Sequence, residues 1–441
     1  MRRLLLLLIV IMALALRLAN AIFIPWQGSD LVISDMKGYD LSAMALLEQQ
    51  PLAVHTAERY LFHPLGSDTY HPPGYYYFLA SIYAVAGHSY LAVRIVQAFV
   101  DTLTCLLIYL LGKLIFGEAA GLLAATLAAV YPPLIFYTGV LLTETVSTFL
   151  LTGTALLLLH VRTRQLSRYM FLILAGLLLG LAIITRSVLL TTVPFVLIWL
   201  LVIVQPWLGW TKAVRYTLTL VVPIVLMIAP ITIRNYQIHR RFILISTNGG
   251  VNFFLGHGGS ERLKNQVRNL PEVFSDDEIV GISSRTQPEE EAYFYRLGWD
   301  YIRKHPVRTM RAVPGKVVTM YWASDYWPAS DAQANLLRSI DLVFWKLLLL
   351  PLSLISLFFY GRRGTTCHAP TARGVTCRAP TARGAALLYL LILSTVVIPL
   401  FLWAQPRFRL PVMPCFIVLA AGTVYEVCKT LGVWETPKVE R

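Results

Sequence analysis

The stretch SDMKGYD, Ser34 to Asp40, sets two carboxylates, a lysine and a tyrosine a few residues beyond the first long apolar run. At a membrane boundary such groups form either a solvated loop or a reactive site held against the lipid surface. Ser34 and Asp35 also suit the start of a helix, MKGYDLSAMALLEQ, because a side-chain oxygen there accepts from the first-turn amides. Asp35 and Asp40 are five residues apart, about 140° around a helix of 3.6 residues per turn. They cannot aim at one atom, so a single one of them is expected to be the active group.

Further polar residues stand at the ends of apolar runs. YHPPGYYYFLA puts His71 ahead of a double proline that stiffens a helix entry; the imidazole either bonds within this turn or meets a ligand. LLTETVS places Glu144 just inside an apolar run. A lone carboxylate is costly there, so Glu144 is expected to face a polar cavity or to pair with a cation. AQPRFRLPVMP places Arg407 and Arg409 at the start of the last run. They reach either for lipid headgroups or for a phosphate, which planar guanidinium groups clamp well. Arg186 and Arg234 occupy comparable boundaries.

The elements that must position these groups follow from composition. Of 441 residues, 56% are hydrophobic and only 14% charged, where a soluble protein carries about 25% charged residues. Runs of roughly 20 apolar residues are long enough to cross a hydrocarbon core of about 30 Å, which predicts an all-α polytopic membrane protein. Ten spans are expected, one at the N-terminus and the others near 92–115, 119–137, 139–160, 169–185, 188–204, 216–233, 337–360, 385–403 and 408–428. The N-terminal run continues to Ile24, which favours an uncleaved span over a signal peptide cut after Ala21. With Arg2 and Arg3 inside and the short piece 74–86 lying along the outer surface, Lys113, Arg162, Arg164, Arg168, Lys212, Arg215, Arg362, Arg363 and Lys429 all fall on the cytoplasmic side. The net charge of +14 is then loop charge, not a nucleic-acid footprint.

This topology divides the chain into a transmembrane core, 1–233, with a first outer loop at 26–91; an outer-face segment, 234–336; and C-terminal spans, 337–441. It gathers Asp35, Asp40, His71, Glu144, Arg186, Arg234, Arg407 and Arg409 at the outer boundary of an inner (plasma) membrane. A transporter would instead place ionisable groups near the midplane. In the outer segment, EEEAYFYRLGWDYIRKHP reads as an amphipathic helix, and the acidic groups Asp276–Glu278 and Glu289–Glu291 as helix starts. TCHAPTARGV and TCRAPTARGA, 366–385, form a tandem repeat expected to be a cytoplasmic loop insertion, 361–385. Cys367, His368 and Cys377 lack an evident fourth zinc ligand, and Cys105, Cys415 and Cys428 lie in apolar runs as free thiols.

Taken in order, these motifs resemble the integral-membrane glycosyltransferases of the GT-C fold, family 39, which includes dolichyl-phosphate-mannose–protein mannosyltransferases and aminoarabinose transferases. SDMKGYDLSAMALLE, YHPPGYYYFLA, YPPLIFYTGVLLTETVSTFLL, GLLLGLAIITRSVLL, RNYQIHRRFILISTNGGVNFFLGH and RFRLPVMP carry the resemblance. It implies a GT-C helical bundle of about ten spans with interfacial helices and a small outer-face domain. It further implies inverting transfer of a sugar from a polyprenyl-phosphate donor to a lipid, glycan or protein acceptor. Asp35 matches the family's catalytic aspartate, which takes the acceptor proton. Glu144 matches an acidic residue that orients the acceptor or holds a divalent metal ion. Arg407 and Arg409, then Arg186 and Arg234, would bind the donor phosphate, with Tyr39, Asp40 and His71 supporting. The chain lacks a large soluble insert like that of the eukaryotic protein mannosyltransferases, which puts a protein acceptor in doubt. Other readings are a surface-polysaccharide polymerase or ligase, and a flippase for a lipid-linked sugar.

Overall fold

The computed structural model describes residues 2–23, 35–48, 69–161, 165–204, 209–259, 281–282, 284–323, 336, 338–361 and 379–431. Among these residues all regular structure is helical. In chain order the elements are α1 (Arg2–Phe23), α2 (Asp35–Glu48), α3 (Pro73–Ala86), α4 (Tyr90–Phe116), α5 (Glu118–Val130), α6 (Pro132–Thr138), α7 (Glu144–His160) and α8 (Gln165–Thr185). They continue with α9 (Thr192–Ile198), α10 (Trp210–His239), α11 (Gly249–Phe254), α12 (Gln287–Lys304), α13 (Pro306–Trp322), α14 (Leu350–Gly361), α15 (Ala379–Val396), α16 (Ile398–Phe401) and α17 (Met413–Thr430).

Among the described residues seven helical stretches are long and apolar enough to cross a bilayer, and the α5–α6 pair makes an eighth if its 53° bend lies within one span. The protein is therefore an integral membrane protein. Helices stand at the places of all ten expected spans, with differences that have local causes. Pro132 and Pro133 break the run expected at 119–137, because neither residue offers an amide to the preceding turn. Residues 139–143 form a turn, leaving α7 only 17 residues long. The run at 188–204 is a 3₁₀ turn, α9 and a π-helical stretch in succession. The piece at 74–86 is α3, whose 14 residues rise about 21 Å, short of the roughly 30 Å core.

Helix α15 already begins at Ala379, inside the expected loop 361–385, with Pro380 in its first turn, where proline is tolerated. Arg234 lies on α10, which runs on to His239. Cys367, His368, Cys377, Ser34 and Asp276–Glu278 lie outside the described residues.

The main apolar core is shared by α1, α4, α5, α7, α8 and α17, with α17 burying 11 residues in a row from Met413 to Thr423. A second, smaller cluster joins Val251, Phe254, Leu255, Ile282 and Phe294, with Trp403 packed against it. Val251 and Phe254 come from α11 and Phe294 from α12. Thr286 and Glu289 start α12 with a reciprocal cap in which the Thr286 amide donates to the Glu289 carboxylate at 3.1 Å.

Candidate active site

A cleft of about 570 Å³ opens between the two apolar clusters, lined by Asp35, Tyr39, His71, Glu144, Arg186 and Arg407 together with Asn248, Asn252, Tyr295, Trp403 and Phe408. Two glycines allow close approaches between elements that line this cleft. An added Cβ on Gly38 would stand 2.6 Å from His71 Nε2, so a larger residue there would have to displace the imidazole. The rings of Tyr39 and His71 follow at 4.5 Å. An added Cβ on Gly74 would lie 2.7 Å from the Thr185 amide, so the first turn of α3 presses on the end of α8 and fixes Arg186 next to it.

Asp35 begins α2 and remains partly accessible, with its side chain 22% exposed. Arg407 Nη2 donates to Asp35 Oδ2 at 2.9 Å. The same guanidinium donates through Nε to Gln405 at 2.5 Å and stands 3.9 Å from Glu144 Oε1. Glu144 is buried at the start of α7, and Arg186 Nη1 stands 2.8 Å from its Oε1. Arg186 also donates to Thr143 Oγ1 at 2.9 Å and stacks over the Phe408 ring at 5.1 Å. Asp35, Arg407, Glu144 and Arg186 thus form one alternating row of charges, two of each sign. Tyr39 is pushed above the usual phenol range by burial and then by the nearby Asp35 and Glu144 charges, so it is a neutral donor here.

The structure separates the other candidates from this row. Asp40 faces away, accepting from Tyr83 at 2.6 Å and Tyr90 at 2.9 Å and pairing with His88 at 2.9 Å. It fastens α2 to α3 and α4. Arg409 was expected beside Arg407 on the phosphate, but both belong to a 3₁₀ turn, Pro406–Val412. At three residues per turn, positions two apart diverge by about 240°. Arg409 therefore points away from the cleft, donating to Met320 O and Ala323 O at 2.8 Å each and approaching Asp341 at 3.5 Å. Its guanidinium covers the Trp345 ring at 4.7 Å. Arg234, on α10, donates to Asn235 and does not line the cleft.

Among the described residues no group of three or more His, Cys, Asp or Glu could hold a metal ion. Glu144 and Asp35, the carboxylates of the row, each already face a guanidinium. Sequence reasoning missed Asn248, at the cap of α11, Asn252 on α11, Tyr295 on α12, and Trp403 in the segment leading to Arg407, all of which line the cleft. STNGGVNFF offers only a polar turn before apolar residues, a weak signal without the fold.

The comparisons with known proteins bear on the fold. Residues 70–233 match the family model described as dolichyl-phosphate-mannose-protein mannosyltransferase. The oligosaccharyltransferase of Archaeoglobus fulgidus in its apo form superposes on 97% of this chain and 51% of its own, at 13% identity and a TM-score of 0.57. The chain has the GT-C fold. The same archaeal enzyme, AglB, solved in complex with an inhibitory peptide and a dolichol-phosphate, superposes at a TM-score of 0.55 with 14% identity, over 97% of this chain and 51% of its own. ArnT from Cupriavidus metallidurans matches across 98% of this chain and 80% of its own, with 12% identity and a TM-score of 0.41. The GT-C chain described here spans about half the length of the oligosaccharyltransferases it resembles. No curated protein matches it by sequence.

Proposed function

We infer that this protein is an inverting glycosyltransferase that moves a sugar from a polyprenyl-phosphate donor to a lipid, glycan or protein acceptor at the outer face of the plasma membrane. The observation that carries this reading is the contact of Arg407 with Asp35 inside a cleft that Glu144 and Arg186 complete. The dolichol-phosphate and peptide bound by AglB support a lipid-linked donor and a separate acceptor. The placement of Lys and Arg in the loops supports the outward orientation.

In this account the acceptor hydroxyl attacks the anomeric carbon while its proton passes to the Asp35 carboxylate. The bond from that carbon to the phosphate oxygen breaks, and its electron pair leaves on the polyprenyl phosphate. Arg407 is the leading phosphate ligand, because a guanidinium suits the growing charge on that oxygen. Before the donor arrives, Arg407 engages Asp35. A phosphate competing for Arg407 releases the Asp35 oxygen toward the acceptor, so base and donor site become ready together. Glu144 holds Arg186 and faces Arg407 from below, keeping both cations at the cleft. Leu142, Val188, Leu190, Leu255 and Leu402 give the cleft lining an apolar character suited to a prenyl chain.

The test is transfer of labelled sugar from polyprenyl-phosphate donors by the purified full chain in liposomes, with envelope lipids, glycans and proteins as acceptors. Transfer that requires Asp35 supports the reading. Donor movement across the bilayer without transfer would establish the flippase instead.

A further inference from the structure

Arg17 has no place in the cleft, yet it is a charged side chain fully buried in α1, a membrane-spanning helix. Its Nε lies 2.5 Å from Asp101 Oδ2 on α4. Nη1 donates to Ala129 O at 2.9 Å and to Ala13 O at 3.1 Å, while Nη2 donates to Ala128 O at 3.0 Å and contacts Cys105 Sγ at 3.2 Å. Ala128 and Ala129 are the carbonyls that residues 132 and 133 would bond in an unbroken α-helix, four positions on. Those residues are Pro132 and Pro133, which have no amide hydrogen. The Tyr131 amide also reaches Ala128 O, at 3.4 Å.

We propose that Arg17 is a positioning residue whose guanidinium replaces the two backbone donors deleted by Pro132 and Pro133, holding the 53° bend that delivers Glu144 to the cleft. Carbonyls left bare in hydrocarbon are costly, so an unsupported break there would straighten, shift or take in water. The planar fork of arginine serves two adjacent carbonyls and still pairs with Asp101, which a lysine ammonium does not. The bent arm continues under the same control. Asn20, one turn after Arg17, donates to Ile135 O at 2.9 Å and Thr138 Oγ1 at 3.2 Å. Gln97 on α4 donates to Thr138 O at 3.0 Å and Val140 O at 2.8 Å. Four residues beyond Val140, Glu144 opens α7 against Arg186.

The catalytic consequence rests on the function proposed above, whereas the pairing of Arg17 with the proline break does not, and the experiment separates them. Arg17→Met is compared in the native chain and in a Pro132→Ala/Pro133→Ala chain, each carrying Asp101→Asn so that no buried carboxylate is left alone. In the native background the unfolding midpoint of the full chain in nanodiscs falls. In the alanine background, where amides again reach Ala128 and Ala129, the fall is less than half as large. Loss of folded protein in the native background with recovery in the alanine one supports the proposal equally. Equal falls, or loss of folded protein in both, overturn it. Arg17→Lys then tests positioning: kcat drops roughly 10²-fold, as for a misplaced reacting group, while KM for the donor stays within about twofold. A folded Arg17→Lys protein with native kcat overturns the positioning role. An inactive native protein would count against the proposed function, and the midpoints would still decide for or against Arg17.

Discussion

Arg407 Nη2 stands 2.9 Å from Asp35 Oδ2 across 372 positions of sequence, and its Nε stands 3.9 Å from Glu144 Oε1. A cation shared between two carboxylates, one partly open and one buried, is poised to exchange a partner when an anion enters. Because the Asp35 side is the accessible one, the exchange is expected there, with Glu144 retaining its hold on the arginine pair.

Arg407 and Arg409 should therefore separate cleanly on substitution. Arg407→Ala is expected to raise KM for the donor by about 10- to 10²-fold, the worth of one hydrogen bond to a charged group, with little change in the melting midpoint. Arg409→Ala is expected to lower the midpoint and leave donor KM near native, because its partners are Met320, Ala323 and Asp341. Donor titrations and thermal unfolding on the two variants make the comparison; the opposite pattern would return Arg409 to the phosphate.

Glu144 and Arg186 are both buried, with 2% and 7% exposure. Removing one partner strands the other in a low-dielectric setting at a cost of about 3–5 kcal/mol. Glu144→Gln and Arg186→Met should each destabilise on that scale, and the double variant should be less destabilised than the two losses added together. Additive losses in a double-mutant cycle would mean that the pair is not coupled.

The cluster around α11 and α12 should respond to pH. Burial raises Glu290 and Glu291 from the ordinary 4.5 to about 7, with the Gly250 amide partly opposing this at Glu291. Between those values the folded segment keeps protons that the unfolded one loses. The contribution is therefore fully present below about 4.5 and disappears as pH rises through about 7. Hydrogen exchange over 249–259, corrected for intrinsic rates, should speed up between pH 5 and pH 8, and Glu290→Gln with Glu291→Gln should flatten the dependence. A pH-independent profile in the native chain would contradict the assignment.

Much of this architecture is legible from hydropathy, because span length is set by the bilayer. Asp35, Glu144, His71 and Arg407 also stand out, since charge at the edge of an apolar run demands a reason. Direction is what sequence hides. Arg407 and Arg409 look equivalent in RFRLP, and only the 3₁₀ turn sends one into the cleft and the other away from it. Asp40 looks as reactive as Asp35 until Tyr83, His88 and Tyr90 close around it. Arg17 and Asp101 carried a readable signal, each an ionisable residue within a spanning run, but their shared purpose needs the proline break beside them. The walls from Asn248, Tyr295 and Trp403 depend on tertiary packing and have no local signature.

The central claim is that Asp35 takes the acceptor proton in transfer from a polyprenyl-phosphate sugar. The direct measurement is single-turnover transfer of labelled sugar by native and Asp35→Asn protein in the same liposomes, with donor binding measured alongside. The account predicts a fall in the transfer rate of about 10²- to 10⁴-fold, the worth of a general base, with the donor still bound. Native transfer by Asp35→Asn would contradict it.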